Sequence, residues 1–162
     1  MVTMVSARDM RKERGLGLVR INPLVRLGEL TFSADDDTLA REVHALLDPA
    51  ATVRLNGSEL DGPGYLRHVF ELRSTMSGGT IAVVDEIQDD RGPAGAFAAR
   101  VVVRMKMKDG SLLTGESHLV GRAGDDGRVT RMVEIGRLLE DSDSPAEAGP
   151  MTAGSRILFP QE

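Results

Sequence analysis

The chain has 162 residues, 41% of them hydrophobic and 28% charged, with a formal net charge of -5. That is enough for one domain with a buried core, and an acidic balance argues against nucleic acid as the main partner. The absence of cysteine excludes disulfides, thiolate nucleophiles and thiolate metal sites together.

Residues 1–20 form a basic arm with Arg8, Arg11, Lys12 and Arg14 but no clean period. It lacks the apolar stretch of a secretory signal, and no segment approaches the ~20 apolar residues of a membrane span. A cytoplasmic protein without a membrane partner is therefore expected. From Asn22 to Phe32, Leu24, Leu27, Leu30 and Thr31 share one helical face. Asp35, Asp36 and Asp37 then open a second helix over Asp36–Leu47, because acidic groups suit the free N–H groups and dipole at a helix start. Asp48-Pro49 stops it, and Thr52 to Leu55 reads as a short strand closed by Asn56-Gly57.

Asp61-Gly62-Pro63 is a helix-start signature. Tyr65, Val69, Leu72 and Met76 follow at helical spacing, with Gly78-Gly79 as the expected end. Four strands follow, over Thr80–Gln88, Ala96–Lys108, Ser111–Gly121 and Arg128–Leu138. Asp109-Gly110 and Asp126-Gly127 supply the turns between the last three. Residues 141–162 are loop-like and read as a C-terminal tail, in which Ile157, Leu158 and Phe159 could dock on a groove. Residues 21–140 are then one α+β domain, its N-terminal helices covering one face of a mostly antiparallel sheet.

Alternation tells which strand residues face the helices. With Asp109 and Gly110 as a two-residue turn, Lys108 pairs with Ser111, Met105 with Thr114, Val103 with Glu116 and Val101 with His118. The face carrying Val101, Val103 and Met105 is the buried one, since the other carries Arg100, Arg104 and Lys106. Taking Ala123–Gly127 as the next loop pairs His118 with Met132 and Glu116 with Glu134. Glu116, His118, Met132 and Glu134 then line one inner surface, where polar groups are costly without partners. Two carboxylates beside an imidazole can hold their pKa values apart, which is the requirement for acid/base work. A one-residue slip in this second hairpin brings Arg131 inward and expels Glu134 instead.

Each of these residues has a plainer reading. His118 could be a core histidine bonded to Glu116 or Glu134, and Glu134 a salt-bridge partner for an arginine. Tyr65 could be core with its hydroxyl at a pocket edge, and Asn56 a turn residue. His44 and His68 read as surface or packing residues on helix flanks. Asp85, Glu86, Asp89 and Asp90 read as a solvated acidic run, so no metal is expected, and the glycine pairs lack phosphate-loop spacing. With four Phe, one Tyr, no Trp and eight Met, a cavity lined by Val, Leu and Met is the better picture than an aromatic platform.

The run from Leu47 through Asp48-Pro49 to Asn56-Gly57, and Leu60-Asp61-Gly62 before the Tyr65 helix, resemble the nuclear transport factor 2-like superfamily. So does Gly115-Glu116-Ser117-His118-Leu119-Val120-Gly121-Arg122, followed by Asp126-Gly127-Arg128-Val129. The likeness spans roughly Asn22 to Leu138 as a pattern of order and spacing. It implies a curved sheet and helices forming a cone with an internal pocket for hydrophobic ring compounds. It also implies a homodimer through the outer sheet face, where Arg100, Arg104 and Lys106 stand. Relative to ketosteroid isomerases, His118 falls near the oxyanion-stabilising acid. Their general-base position falls at Leu55, and their first-helix Tyr has no counterpart because the only Tyr is Tyr65. The Asp-Arg-Asp arrangement of limonene epoxide hydrolases is absent too, since the Ala96–Lys108 strand has no carboxylate.

The expectation is a SnoaL-like, cofactor-independent enzyme performing cyclisation, isomerisation or dehydration on a polyketide-like ring compound. His118, Glu134 and Glu116 would be its acid/base groups, with Asn56, Tyr65, Val101, Val103, Met105 and Met132 in contact with the ligand. The rival expectation is a non-catalytic module of the same fold that binds a hydrophobic ligand or dimerises.

Overall fold

In the computed structural model of the chain, which describes residues 21–89 and 94–140, helices cover one face of a single curved sheet. The helices are α1 (Pro23–Ser33), α2 (Asp36–Leu46) and α3 (Gly62–Thr75). The strands are β1 (Leu47–Leu55), β2 (Ser58–Leu60), β3 (Met76–Gln88), β4 (Ala96–Met107), β5 (Leu112–Ala123) and β6 (Val129–Leu138). They lie in the order β2-β1-β6-β5-β4-β3. Every neighbouring pair is antiparallel except β1 and β6, which run parallel. The basic arm over 1–20 and the tail over 141–162, with Ile157–Phe159, lie outside the described residues.

Each helix begins at a side-chain cap that satisfies an orphan N–H. Asn22 accepts from Leu24 N–H at 3.1 Å, and its Nδ2 donates to the Ala98 carbonyl at 3.2 Å, which ties the start of α1 to β4. Asp35 accepts from Thr38 N–H at 2.8 Å and Asp61 from Gly64 N–H at 2.7 Å. The predicted face of α1 is the buried one: Leu24, Leu27 and Leu30 are each 1% exposed. Each such leucine contributes about 1.5–3 kcal/mol of apolar burial. Leu39 and Val43 of α2, and Tyr65 and Val69 of α3, complete the helical side of the core.

Two boundaries differ from expectation. Helix α2 does stop before Asp48-Pro49, but β1 starts at Leu47 rather than Thr52, and a register shift between Leu47 and Thr52 absorbs the proline, which cannot donate to the ladder. Helix α3 ends at Thr75, and Gly78-Gly79 lies inside β3 rather than at a helix end. The Ser74 and Thr75 hydroxyls donate back to the Glu71 and Leu72 carbonyls, closing the last turn. A side chain at Gly79 would collide with the Phe32 ring, so a glycine is needed where α1 crosses β3.

The hairpins fix the site. Asn56 (φ 47) and Gly57 (φ 95) both take the left-handed conformation, so Leu55 pairs with Ser58 across a tight two-residue turn. Asp109-Gly110 turns differently: only Gly110 has positive φ, at 88°. Asp109 Oδ1 accepts from both Ser111 N–H (2.9 Å) and Ser111 Oγ (2.6 Å). Gly110 N–H reaches the Met107 carbonyl at 3.0 Å, and Met107 N–H the Ser111 carbonyl at 2.9 Å. The loop is therefore three residues, a type I turn closed by a left-handed glycine. The ladder slips by one relative to expectation: Met105 faces Leu113, Val103 faces Gly115, Val101 faces Ser117 and Arg100 faces His118. One residue of slip turns every β5 side chain over.

The second hairpin also departs from expectation by an odd number. Arg122 pairs with Arg131, Gly121 with Met132 and Leu119 with Glu134, after a shift between Arg122 and Ala123. Asp126 accepts from Arg128 N–H at 3.0 Å and Gly124 N–H bonds the Arg128 carbonyl at 2.8 Å, which keeps this loop compact. The two departures cancel for β6, so Met132 and Glu134 still face the helices while β5 is reversed.

Candidate functional site

Helix α3 presents Tyr65, His68, Val69 and Leu72 on one stripe, at i, i+3, i+4 and i+7, and this stripe forms one wall of a cavity. Leu24, Gly28, Thr31 and Phe32 of α1 form the second wall. The sheet forms the floor with Leu55 of β1, Val101, Val103 and Met105 of β4, Ser117 and Leu119 of β5, and Met132 and Glu134 of β6. The atom-free space between these walls, with the open solvent at its mouth included, is about 640 Å³.

Glu134 is the acid in this apolar hollow. Burial raises its carboxyl from 4.5 to about 6, because a carboxylate loses hydration there. The Ser117 hydroxyl works the other way by stabilising the charged form, and is the weaker influence. Ser117 Oγ is buried and makes no strictly aligned hydrogen bond among the described residues, so it acts here as a nearby dipole. Tyr65 is held far above its ordinary value, first by burial and then by the negative charge of Glu134, while Thr31 beside it opposes the shift. It remains a protonated donor at any physiological pH. His68 is pulled below its ordinary value by burial, with Glu71 acting in the opposite sense. At neutral pH it is a neutral imidazole. The cavity thus holds a carboxylate poised to take a proton and two neutral groups able to donate hydrogen bonds.

Of the residues singled out from sequence, the structure places Glu134, Tyr65, Val101, Val103, Met105 and Met132 on the cavity wall. It does not place His118, Glu116 or Asn56 there. His118 stands exposed on the opposite sheet face, between Arg100 and Ile135, because β5 is turned over by the three-residue loop. Glu116 goes with it: fully buried, its Oε1 is 2.8 Å from Arg100 Nε and its Oε2 3.2 Å from Arg137 Nη2. It is a structural anion between two guanidinium groups. Asn56 accepts from Gly136 N–H at 2.8 Å, and its own N–H bonds the Glu134 carbonyl at 2.9 Å. It stitches β1 to β6 beside the acid without entering the cavity.

His68, which the sequence suggests is a surface or packing residue, lines the cavity instead, and Thr31, Ser117 and Leu119 are cavity residues not expected there from sequence. For His68 the signal was present, since it stands three residues after Tyr65 on an apolar stripe. Ser117 and Leu119 needed the correct β4–β5 register. His44 is exposed, its Nδ1 2.6 Å from the Ala40 carbonyl. Among the described residues no group of three or more His, Asp or Glu side chains gathers as a metal site, and no helix is long and apolar enough to cross a membrane.

No protein-family model and no curated protein matches the chain. Solved structures do. An NTF2-like protein of unknown function from Exiguobacterium sp. 255-15 superposes with a TM-score of 0.60 at 19% identity, covering 74% of this chain and 99% of that one. Wild-type IdmH, a candidate polyketide cyclase from Streptomyces antibioticus, gives 0.55 at 20% identity over 70% of this chain and 91% of its own. A protein with a ketosteroid isomerase-like fold from Catenulispora acidiphila, crystallised with trimethylamine, gives 0.56 at 7% identity over 70% and 84%. The chain has the nuclear transport factor 2-like fold.

Proposed function

We propose that this nuclear transport factor 2-like chain is a cofactor-independent enzyme in which Glu134 removes a proton next to a carbonyl of a hydrophobic ring compound. One observation carries the proposal: a carboxylate whose pKa burial lifts to about 6 faces a mostly apolar cavity. Such a group is ionised at neutral pH yet is a stronger base than an exposed carboxylate. The proton passes to a Glu134 Oε and the electron pair moves onto the carbonyl oxygen. The Tyr65 hydroxyl or the neutral His68 ring can donate to that enolate. Return of the proton at another carbon shifts a double bond, and attack of the enolate carbon on a second carbonyl closes a ring. The likeness to a candidate polyketide cyclase agrees with this chemistry. His118 and Glu116 have no part in it.

The test is solvent deuterium incorporation at the carbon next to the carbonyl in a panel of ring ketones such as 2-tetralone. The wild type should accelerate incorporation, Glu134→Gln should lose the acceleration, and His118→Ala should keep it. Binding of the ketones without any acceleration would leave the non-catalytic ligand-binding module as the reading. We further propose a homodimer through the outer sheet face. Its motivation is Val120 (58% exposed) on β5 and Ile135 (47%) on β6, which stand on the face away from the helices.

A further inference from the structure

We infer that Ile81 sets the size limit of the ring compound that the cavity accepts, and that the end of the ligand resting on it is bare hydrocarbon. This rests on the cavity being the ligand site, but not on Glu134 being a base. The sheet order ends at β3, so among the described residues no strand lies beyond it to close the cavity on that side. Ile81 is the one described residue of β3 in the lining. Gly79, two residues before it on the same strand face, has no side chain to contribute, and Val83, two residues after it, is 43% exposed. The edge of the cavity therefore depends on a single side chain.

That side chain is held from two directions. Beside it in the ladder stands Val103, which with Met105 lines the floor. Across from it is Gly28 of α1. A Cβ at Gly28 would lie 2.7 Å from Ile81 Cδ1 and, beyond its own stretch of helix, would meet nothing else within 4 Å among the described residues. The tip of Ile81 thus takes the place of a helical side chain. The exchange repeats in the opposite sense one turn later, where the Phe32 ring takes the place of a side chain at Gly79. Gly28 and Phe32 share a face of α1, and Gly79 and Ile81 share a face of β3, so the crossing is interlocked twice. A wall fitted at this density yields little to a longer ligand.

The residues around Ile81 also set the chemistry of what rests there. Gly28, Phe32, Val103 and Met105 offer hydrocarbon and a thioether, so a polar substituent there would lose its water without a good partner. The acid stands elsewhere: Glu134 is on β6, with β5 and β4 between it and β3. A ligand with its carbonyl at Glu134 points its unsubstituted rings toward Ile81.

The test measures binding of neutral ketones to the full-length protein by equilibrium dialysis. The wild type should favour 2-acetonaphthone over 2-acetylanthracene, one ring longer, by about tenfold, as an apolar pocket can. Ile81→Ala should remove that preference by raising the affinity for the anthracene. Ile81→Val, which deletes only Cδ1, should give an intermediate ratio. Melting of the ligand-free variants separates this from packing alone, which would lower the melting temperature and leave the ratio of affinities at its wild-type value. A hydroxyl at the far end, in 6-acetyl-2-naphthol, should weaken binding about tenfold relative to 2-acetonaphthone; equal binding of those two would overturn the hydrocarbon end. Equal affinities for the two- and three-ring ketones in the wild type, or a ratio unmoved by Ile81→Ala, would overturn the size limit with the cavity still the ligand site. Binding of no ketone would remove both. A ratio that moves as expected, without deuterium exchange by the wild type, would sink the catalytic role of Glu134 and leave the size limit standing.

Discussion

Replacing Glu134 with glutamine should stabilise the protein above neutral pH while removing its chemistry. Burial raises the carboxyl from 4.5 to about 6, which is worth about 2 kcal/mol at 1.36 kcal/mol per pH unit. The sign follows from proton binding. Between these two values the folded state holds more of the proton than the unfolded state, so stability falls as pH rises through the window. The penalty is absent below pH 4.5 and fully present above about 6. Glutamine keeps the shape yet carries no charge to desolvate. Glu134→Gln should therefore melt higher than the wild type at pH 8, by about 8 °C for a domain of this size. The two proteins should converge near pH 4. Thermal unfolding of both at a series of pH values between 4 and 8 reads this directly. A variant less stable than the wild type at pH 8, or a difference that does not change with pH, would refute a desolvated carboxylate at this position.

Other consequences are independent of that one. Glu116→Ala leaves the Arg100 and Arg137 guanidinium groups facing each other on the outer sheet, and urea unfolding should show a loss of about 3–5 kcal/mol. Ser117→Ala withdraws the hydroxyl that favours the charged form of Glu134, so the acidic limb of the pH–rate profile should move to higher pH. A methyl group at Gly121 would lie 2.8 Å from the Arg131 carbonyl and 2.9 Å from Leu24. Gly121→Ala should therefore cost about 1–3 kcal/mol by overpacking, read by denaturant midpoint. Val120→Glu on the outer face should shift sedimentation from dimer to monomer, and a wild type that sediments as a monomer would remove the dimer.

The order of elements was legible because each rests on local chemistry. Asp35 and Asp61 both cap helices, and the Leu24, Leu27 and Leu30 stripe is buried. The inner residues of β4 follow from alternation alone. Register across the hairpins did not follow, because two similar dipeptides turn differently. Asn56 accepts a left-handed conformation, whereas Asp109 spends its carboxylate on Ser111 and leaves only Gly110 left-handed. That difference moved His118 and Glu116 to the outer face and brought Ser117 in. Glu134 reaches the cavity because two register departures of odd size offset each other across β5. The ion pairs that bury Glu116 depend on contacts across three strands, which no periodicity reports.

The most direct measurement is carbon-13 NMR of selectively labelled glutamate with added 2-acetonaphthone. The side-chain carboxyl of Glu134 should titrate with a midpoint near 6 and shift when the ketone is added, while the imidazole signals of His118, read from a second sample labelled at histidine, stay in place. A Glu134 midpoint at its ordinary value of 4.5, with ligand-induced shifts at His118 instead, would contradict a cavity built around the β6 carboxylate.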